Sequence, residues 1–253
     1  MMIETVKKTV RVNDVDLYVE TYGAGEPLVL LHGFTGSSVD WVHAGRDRFA
    51  EHFRLIAIDA RGHGRSPNPP GSLTHRQCAL DTVAVLDRLG IERCKAIGLS
   101  FGGNILLHLA MQHLERVEAM VLVSSTPYFP EQARKLMASL APEPQSAEVW
   151  DDMRKRHVLG DEQILALFEQ QHAFKDSYDD MNLTPPALAR IRSRTLLVQG
   201  DRDPLYPLEL SVEMYRAIPN AELAVVPNAG HGPIFGEYGE SFVQRALEFL
   251  KRS

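Results

Sequence analysis

A serine between glycines could serve as a nucleophile in this chain. Ser100 lies at the centre of a G-L-S-F-G pentapeptide at residues 98–102, and Gly103 follows it. The apolar run at residues 95–99 predicts a strand that ends at Ser100, and the residues from Gly103 onward predict a helix. A serine on such a sharp turn has a strained backbone, and small neighbours avoid a collision between the two elements. These residues indicate nucleophilic catalysis, although similar turns also occur where the serine only caps a helix.

A serine hydroxyl is a weak nucleophile, so it needs a base whose tautomer is held by an acid. His231 is the best placed of the ten histidines, because it lies between two glycines directly after the last apolar run. The acid is expected after the apolar run at residues 195–198, where Asp201 and Asp203 both occur. We favour Asp203, which lies deeper in the loop, and expect Asp201 to cap the turn. The predicted catalytic residues are Ser100, Asp203 and His231.

These side chains need elements that bring them to one place. Six short apolar runs predict strands buried on both faces, as in a parallel sheet. They are residues 28–31, 55–58, 96–99, 119–123, 195–198 and 223–226. Helical periodicity follows most of them, at residues 78–89, 104–112, 208–218 and 242–250. Before them, residues 10–12 and 15–22 predict an antiparallel hairpin that turns at Asn13 and Asp14.

The alternation of strands and helices stops once. Between residues 127 and 194 no convincing strand pattern occurs, and helical stretches are expected at residues 131–140, 149–157 and 161–174. We therefore predict an α/β fold whose sheet is open and mostly parallel, with helices on both faces. Residues 1–126 and 195–253 would form the core. Residues 127–194 would form a helical cap over the carboxyl ends of the strands, where open α/β sheets place their sites.

The order nucleophile, acid, histidine, each at the end of a predicted parallel strand, resembles the α/β-hydrolase superfamily. The resemblance covers nearly the whole chain and is to serine-nucleophile, carboxylesterase-like members. It implies an oxyanion hole made by the backbone N–H groups of Phe34 and Phe101, each worth roughly 3 to 4 kcal/mol in the transition state. His32 is expected to brace the turn that carries Phe34.

Aromatic side chains are candidates for the walls of a substrate pocket. Phe34 and Phe101 must lie near Ser100 because of their positions in the chain, and Phe129 and Trp150 are further candidates. The resemblance implies hydrolysis of carboxylic esters of short to medium acyl chain through an acyl-enzyme, without a cofactor or a metal. Dehalogenases and epoxide hydrolases that resemble this scaffold use an aspartate nucleophile, so Ser100 argues against both.

Other activities occur on similar scaffolds. The family includes C–C bond hydrolases, enol-lactonases and the lyase of menaquinone synthesis, and residues 33–38 together with Trp41 are similar to that lyase. Similar lyases carry an arginine directly after the two glycines, where this chain has Asn104. A more remote alternative is a non-catalytic ligand receptor on the same scaffold.

Composition narrows the class of partner. Of the 253 residues, 44% are hydrophobic and 24% are charged, as in ordinary globular proteins, and the net charge of -6 is spread along the chain. Nucleic acid is therefore an unexpected partner, and a small ester or related carbonyl compound is the expected one. No apolar run approaches the roughly 18 to 20 residues that span a bilayer, and the start has no signal-peptide core, so we expect no membrane partner and a cytoplasmic location. Cys78 and Cys94 are expected to be small buried hydrophobes.

Overall fold

A computed structural model describes residues 5–69, 73–141, 143 and 146–252. The first four residues, residues 70–72 and Ser253 of the predicted core, and residues 142, 144 and 145 of the predicted cap, lie outside these ranges. The strands in the described part are β1 (Thr5–Val12), β2 (Val15–Tyr22), β3 (Pro27–Leu31), β4 (Arg54–Ile58), β5 (Cys94–Leu99), β6 (Val117–Val123), β7 (Arg194–Gly200) and β8 (Ala221–Val226). They form one sheet in the order β1-β2-β4-β3-β5-β6-β7-β8.

The helices in the described part are α1 (Arg46–Ala50), α2 (His75–Arg88), α3 (Phe101–Gln112), α4 (Glu131–Ser139), α5 (Ala147–Arg156), α6 (Asp161–Ala173), α7 (Pro185–Leu188), α8 (Leu208–Ala217) and α9 (Gly239–Leu250). Seven of these helices follow the predicted segments closely, and the short α1 and α7 were not predicted. Short 3-10 helices cover Ser38–Val42, Phe174–Asp176 and Gly236–Tyr238. Across the described ranges, no helix is both long and apolar enough to cross a membrane.

Across the sheet, all neighbouring strands from β4 to β8 are parallel. β1 and β2 form an antiparallel hairpin, which turns where Asn13 adopts a φ of 47°, and β2 is also antiparallel to β4. The pairs β3-β4, β3-β5, β5-β6, β6-β7 and β7-β8 are all parallel. Because parallel strands end at the same edge of a sheet, the loops after β5, β7 and β8 meet there.

Alternating strand residues build a core on each face of the sheet. In β3, Val29 and Leu31 join the apolar cluster that includes residues of α2, α3 and α8. Leu28 and Leu30 join the second cluster, with residues of α1 and α9. The predicted α/β sheet with helices on both faces is confirmed. The prediction that residues 223–226 are buried on both faces is wrong, because β8 is the edge strand and its Val225 is 41% exposed.

The chain between β6 and β7, residues 124–193, is called the inserted segment here. It contains α4 to α7, and an isolated bridge pairs Tyr128 with Asn182. The segment contacts the core through His157, Gln163 and Asp180, which hydrogen-bond to loops or helix ends of the sheet layer. The division of the chain into a core and a separate cap stays a prediction.

Candidate active site

The backbone at Ser100 has the strain that its sequence context predicts. Its φ is 51° and its ψ is -109°, in a turn between β5 and α3. The Ser100 N–H donates to the carbonyl of Val123 at 2.7 Å, which ties the turn to the neighbouring strand. A Cβ on Gly102 would lie 2.2 Å from the carbonyl oxygen of Leu31, and one on Gly98 would lie 2.5 Å from the Gly102 backbone. Only glycine permits these approaches, so strand and helix can meet at Ser100.

His231 contacts both of the other predicted catalytic residues. Its Nε2 lies 2.8 Å from the Ser100 Oγ, and its Nδ1 lies 2.8 Å from the Asp203 Oδ2. An ionised carboxylate can only accept, so Nδ1 carries the proton and donates it to Asp203. Nε2 is then an acceptor for the Ser100 hydroxyl. The three residues predicted from the sequence therefore lie in one hydrogen-bonded chain.

The surroundings of Asp203 favour its ionised form. Burial by itself raises the pKa of this carboxyl group, but the hydrogen bond from His231 and the amides of Leu205 and Tyr206 hold the pKa below its usual value. Those amides donate to Oδ1 at 2.8 and 3.1 Å, and Gln199 donates to Oδ2 at 2.9 Å. Asp201, the alternative weighed from the sequence, makes no contact with His231 and instead lies 3.9 Å from Arg202.

The turn after β3 holds a backbone amide at a defined angle. The Gly33 carbonyl accepts a hydrogen bond from His32 Nδ1 at 2.8 Å and another from the Gly36 N–H at 3.0 Å. The carbonyl and the N–H of one trans peptide point in opposite directions, so these bonds also orient the N–H of Phe34. His32 Nε2 accepts from the Ala60 N–H at 3.1 Å, which braces the turn as expected. The amides of Phe34 and Phe101 have no hydrogen-bond partner among the described residues.

A cavity of about 360 Å³ opens on Ser100 and His231. Its apolar lining includes the candidates Phe34, Phe101 and Phe129, together with Phe174, Leu136, Met137, Leu140 and Phe235. Its polar lining includes His75, Asn104, Tyr206 and Gln171. Lysine, arginine, aspartate and glutamate are absent from the described residues that line it.

The prediction that Trp150 lines the pocket disagrees with the structure. Trp150 lies on α5 and is half-buried, with the guanidinium of Arg154 5.0 Å above its ring, and it does not line the cavity. Phe174 occupies the wall instead, 4.9 Å from Phe34 in an edge-on contact. Periodicity identifies the helices of an insertion but not which of them covers the site, so α5 could not be separated from α4 in advance.

Four polar residues of the cavity wall were not predicted as such from the sequence, namely His75, Asn104, Gln171 and Tyr206. Tyr206 packs edge-on against His231 at 5.3 Å and lies three positions after Asp203, so the loop position could have suggested it. Asn104 lies one helical turn after Ser100, and its Nδ2 is buried without a hydrogen-bond partner among the residues that the structure describes. His75 carries no local signal, because its partner Asp180 lies 105 residues away in the chain.

Comparison with known proteins agrees with this geometry. Residues 28–245 match the model of the Alpha/beta hydrolase family, and the chain therefore belongs to that family. It is 30% identical to 2-hydroxymuconate semialdehyde hydrolase of Pseudomonas putida, over 90% of this chain and 88% of that protein. It is 29% identical to pimeloyl-[acyl-carrier protein] methyl ester esterase of Nitrosomonas europaea, over 90% of this chain and 96% of that protein.

A solved structure of an esterase extends the comparison. The thermophilic esterase from Thermogutta terrifontis superposes with a TM-score of 0.74 and 26% identity, over 98% of each chain. The family and these relatives identify the chain as a hydrolase.

Proposed function

We propose that this protein is a serine hydrolase that cleaves carboxylic esters of short to medium acyl chain through an acyl-enzyme. The observation that carries the proposal is the pair of 2.8 Å contacts that His231 makes with Ser100 and Asp203, at the mouth of an apolar cavity. A nucleophile, a base and an acid in hydrogen-bond reach are what acyl transfer to serine requires.

In the first half of the proposed reaction, the Ser100 Oγ attacks the carbonyl carbon of the ester while His231 Nε2 takes the hydroxyl proton. Negative charge develops on the carbonyl oxygen, and the free amides of Phe34 and Phe101 are available to bind it. The Asp203 carboxylate stabilises the imidazolium that forms.

In the second half, the tetrahedral intermediate collapses and His231 gives its proton to the leaving alkoxide, which departs as the alcohol. Water then attacks the acyl-enzyme while His231 again takes a proton. The second collapse releases the carboxylic acid and restores the Ser100 hydroxyl. The cavity of about 360 Å³ lies near the small end of ligand pockets, which run from roughly 300 to 1,000 Å³, and so supports short to medium acyl chains.

A second candidate is hydrolysis of a C–C bond next to a carbonyl. The Pseudomonas putida relative, whose name describes a semialdehyde hydrolase, favours it, and the same nucleophile and base would serve. Enol-lactonase and lyase activities also remain alternatives. The uncharged Asn104 argues against the lyase, because similar lyases have an arginine there. The remote alternative, a non-catalytic receptor, would be favoured if the protein bound a ligand tightly with negligible turnover.

Replacing Ser100 by alanine tests the proposal. Because the nucleophile is removed, we expect turnover of p-nitrophenyl acetate and butyrate to fall by about 10⁴-fold or more. Ser241→Ala is the matched control, since Ser241 is exposed on α9 and its hydroxyl donates to the carbonyl of Tyr238, away from the cavity lining. Wild-type turnover by Ser100→Ala contradicts the assignment of the nucleophile.

The same assay separates the candidates when the substrates are varied. The wild-type protein is assayed with esters of graded acyl length, an enol lactone, the lyase substrate and a vinylogous diketone. Cleavage of the diketone with little ester hydrolysis would favour the C–C hydrolase over the esterase.

A further inference from the structure

A second histidine–aspartate pair meets the cavity and has no part in the proposed reaction. His75 is the first residue of α2, is 1% exposed and lines the cavity. Its Nδ1 lies 2.6 Å from the Oδ2 of Asp180, which belongs to the inserted segment. The pair therefore lies on the wall formed where the inserted segment meets the core.

Asp180 determines which nitrogen of His75 can bind a ligand. Its carboxylate also accepts from the backbone N–H groups of His75 and Arg76, at 2.7 and 3.1 Å. Burial raises the pKa of Asp180, but these hydrogen bonds and the His75 ring outweigh it and lower the pKa to about 2. An ionised carboxylate cannot donate, so the proton between the two side chains belongs to His75 Nδ1. Nε2 is left without a hydrogen-bond partner among the described residues, and His75 lines the cavity.

The neighbours of the His75 ring disfavour a charged ligand. Its centroid lies 4.8 Å from that of Phe101, 5.3 Å from that of Phe174 and 5.7 Å from that of Phe129. The described lining contains neither a lysine nor an arginine. A carboxylate brought into this cavity would be desolvated without a counter-ion, which is costly. A hydroxyl group is uncharged and can donate to the lone pair of a neutral imidazole.

We propose that His75 Nε2 accepts a hydrogen bond from a neutral hydroxyl group on the acyl chain of the substrate. His75 is then a binding residue that selects hydroxylated acyl groups, and Asp180 fixes its tautomer. Ser100, Phe101 and His75 line the same cavity, and the Phe101 ring, next to Ser100 in the chain, lies 4.8 Å from the His75 ring. This assignment rests on the proposed ester hydrolysis and adds the class of acyl group to it.

The test compares methyl esters in which a hydroxyl replaces a terminal methyl group. The pairs are the esters of 3-hydroxypropanoic and butanoic acids, 3-hydroxybutanoic and 3-methylbutanoic acids, and 6-hydroxyhexanoic and heptanoic acids. For each pair, the kcat/KM of the hydroxylated ester is divided by that of its methyl counterpart, for the wild type and for His75→Phe, which keeps an aromatic ring and the backbone N–H. Because one hydrogen bond is lost, we expect the highest of these ratios to fall about tenfold in the variant.

His108→Gln is the matched control. The Nε2 of His108 donates to the Asp180 carbonyl at 2.8 Å, but His108 does not line the cavity. The control should keep the wild-type ratio for every pair. A loss in His108→Gln equal to that in His75→Phe would mean that the Asp180 region acts through folding, which overturns the binding role of His75.

Further outcomes are equally decisive. Equal ratios for the wild type and His75→Phe overturn the proposal. A preference for monomethyl adipate over the hydroxylated esters also overturns it, because the chain of that ester ends in a carboxylate. Absence of all ester hydrolysis contradicts the proposed function instead. In that case, calorimetric binding of the same ester pairs to Ser100→Ala, with and without His75→Phe, tests His75 alone, and an unchanged ratio of Kd values overturns its role.

Discussion

At the scale of single residues, the carboxylate of Asp203 is specialised by its contacts on both oxygens. Oδ1 accepts the amides of Leu205 and Tyr206, while Oδ2 faces His231 Nδ1 and the amide nitrogen of Gln199. The first oxygen is held by the backbone, and only the second can act on the imidazole. The tautomer of His231 therefore depends on whether the atom at the Oδ2 position is an oxygen or a nitrogen.

Asp203→Asn should therefore be a nearly isosteric variant with little activity. The two amides keep the asparagine oxygen at the Oδ1 position, so its NH₂ group faces His231 and stabilises the tautomer with a proton on Nε2. That tautomer cannot accept the Ser100 proton, and we expect kcat to fall by about 10⁴-fold in ester hydrolysis. Asp201→Asn, two positions away and without contact to His231, should keep wild-type kcat. Comparable losses in both variants would contradict the choice of Asp203.

At the scale of elements, His157, directly after α5, reaches the turn that carries Phe34. His157 Nε2 donates to the carbonyl of Thr35 at 2.9 Å, and its Nδ1 accepts from the Gly64 N–H at 2.9 Å. Burial lowers the pKa of His157, which keeps the ring neutral and able to both donate and accept. The inserted segment is thus joined to the turn whose amide is proposed to bind the oxyanion.

His157→Phe should lower kcat about tenfold with a smaller effect on KM. The change keeps a buried ring but removes both hydrogen bonds, so the Phe34 turn loses a support that matters most in the transition state. Gln163→Leu is the comparison variant, because Gln163 holds the carbonyls of Gly62 and Gly64 without touching Thr35. Steady-state kinetics on p-nitrophenyl butyrate check the result. An equal fall in kcat for Gln163→Leu would point to general anchoring of the inserted segment instead.

At the scale of the whole molecule, Asp180 joins the inserted segment to two helices of the core. Its carboxylate binds the start of α2, and its carbonyl accepts from His108 on α3. The pKa of Asp180 is lowered to about 2 in the folded protein, against about 3.9 in unfolded chains. A carboxyl group with a lowered pKa stabilises the fold fully above pH 4 or so, and this contribution is lost as the pH falls towards 2.

Asp180→Asn should lower the free energy of unfolding at pH 7 by about 2.5 kcal/mol. The difference between wild type and variant should shrink as the pH falls from about 4 to about 2, because the wild-type carboxyl group becomes neutral over that range. Urea unfolding at several pH values measures it. Asp179→Asn, at an exposed neighbouring position, should follow the wild type throughout. A difference for Asp180→Asn that is independent of pH would contradict the assigned role of its charge.

The predictions from sequence that agree with the structure concern features encoded by adjacent residues. Ser100 follows a strand directly, and the loops with Asp203 and His231 follow two others, so parallel topology alone brings them to one edge. The burial of Cys78 and Cys94 is likewise as expected. Periodicity located α4, α5 and α6 within a few residues, because each helix has its own apolar stripe.

The predictions that were wrong, and the residues that were not predicted, depended on contacts between residues distant in the chain. The exposure of β8 follows from its place at the sheet edge, which no apolar run encodes. Trp150 does not line the cavity and Phe174 does, a difference that periodicity cannot show, because several packings of the inserted helices satisfy the same pattern. The pairing of His75 with Asp180 likewise arises only when the inserted segment closes on α2.

The sequence by itself therefore determined the residues proposed for acyl transfer and the sheet that aligns them, since strand, turn and helix signals are local. Only the tertiary structure decided the walls of the cavity and the second histidine that faces it. Those depend on side-chain packing between segments more than about a hundred residues apart, and chain-local patterns carry no record of such contacts.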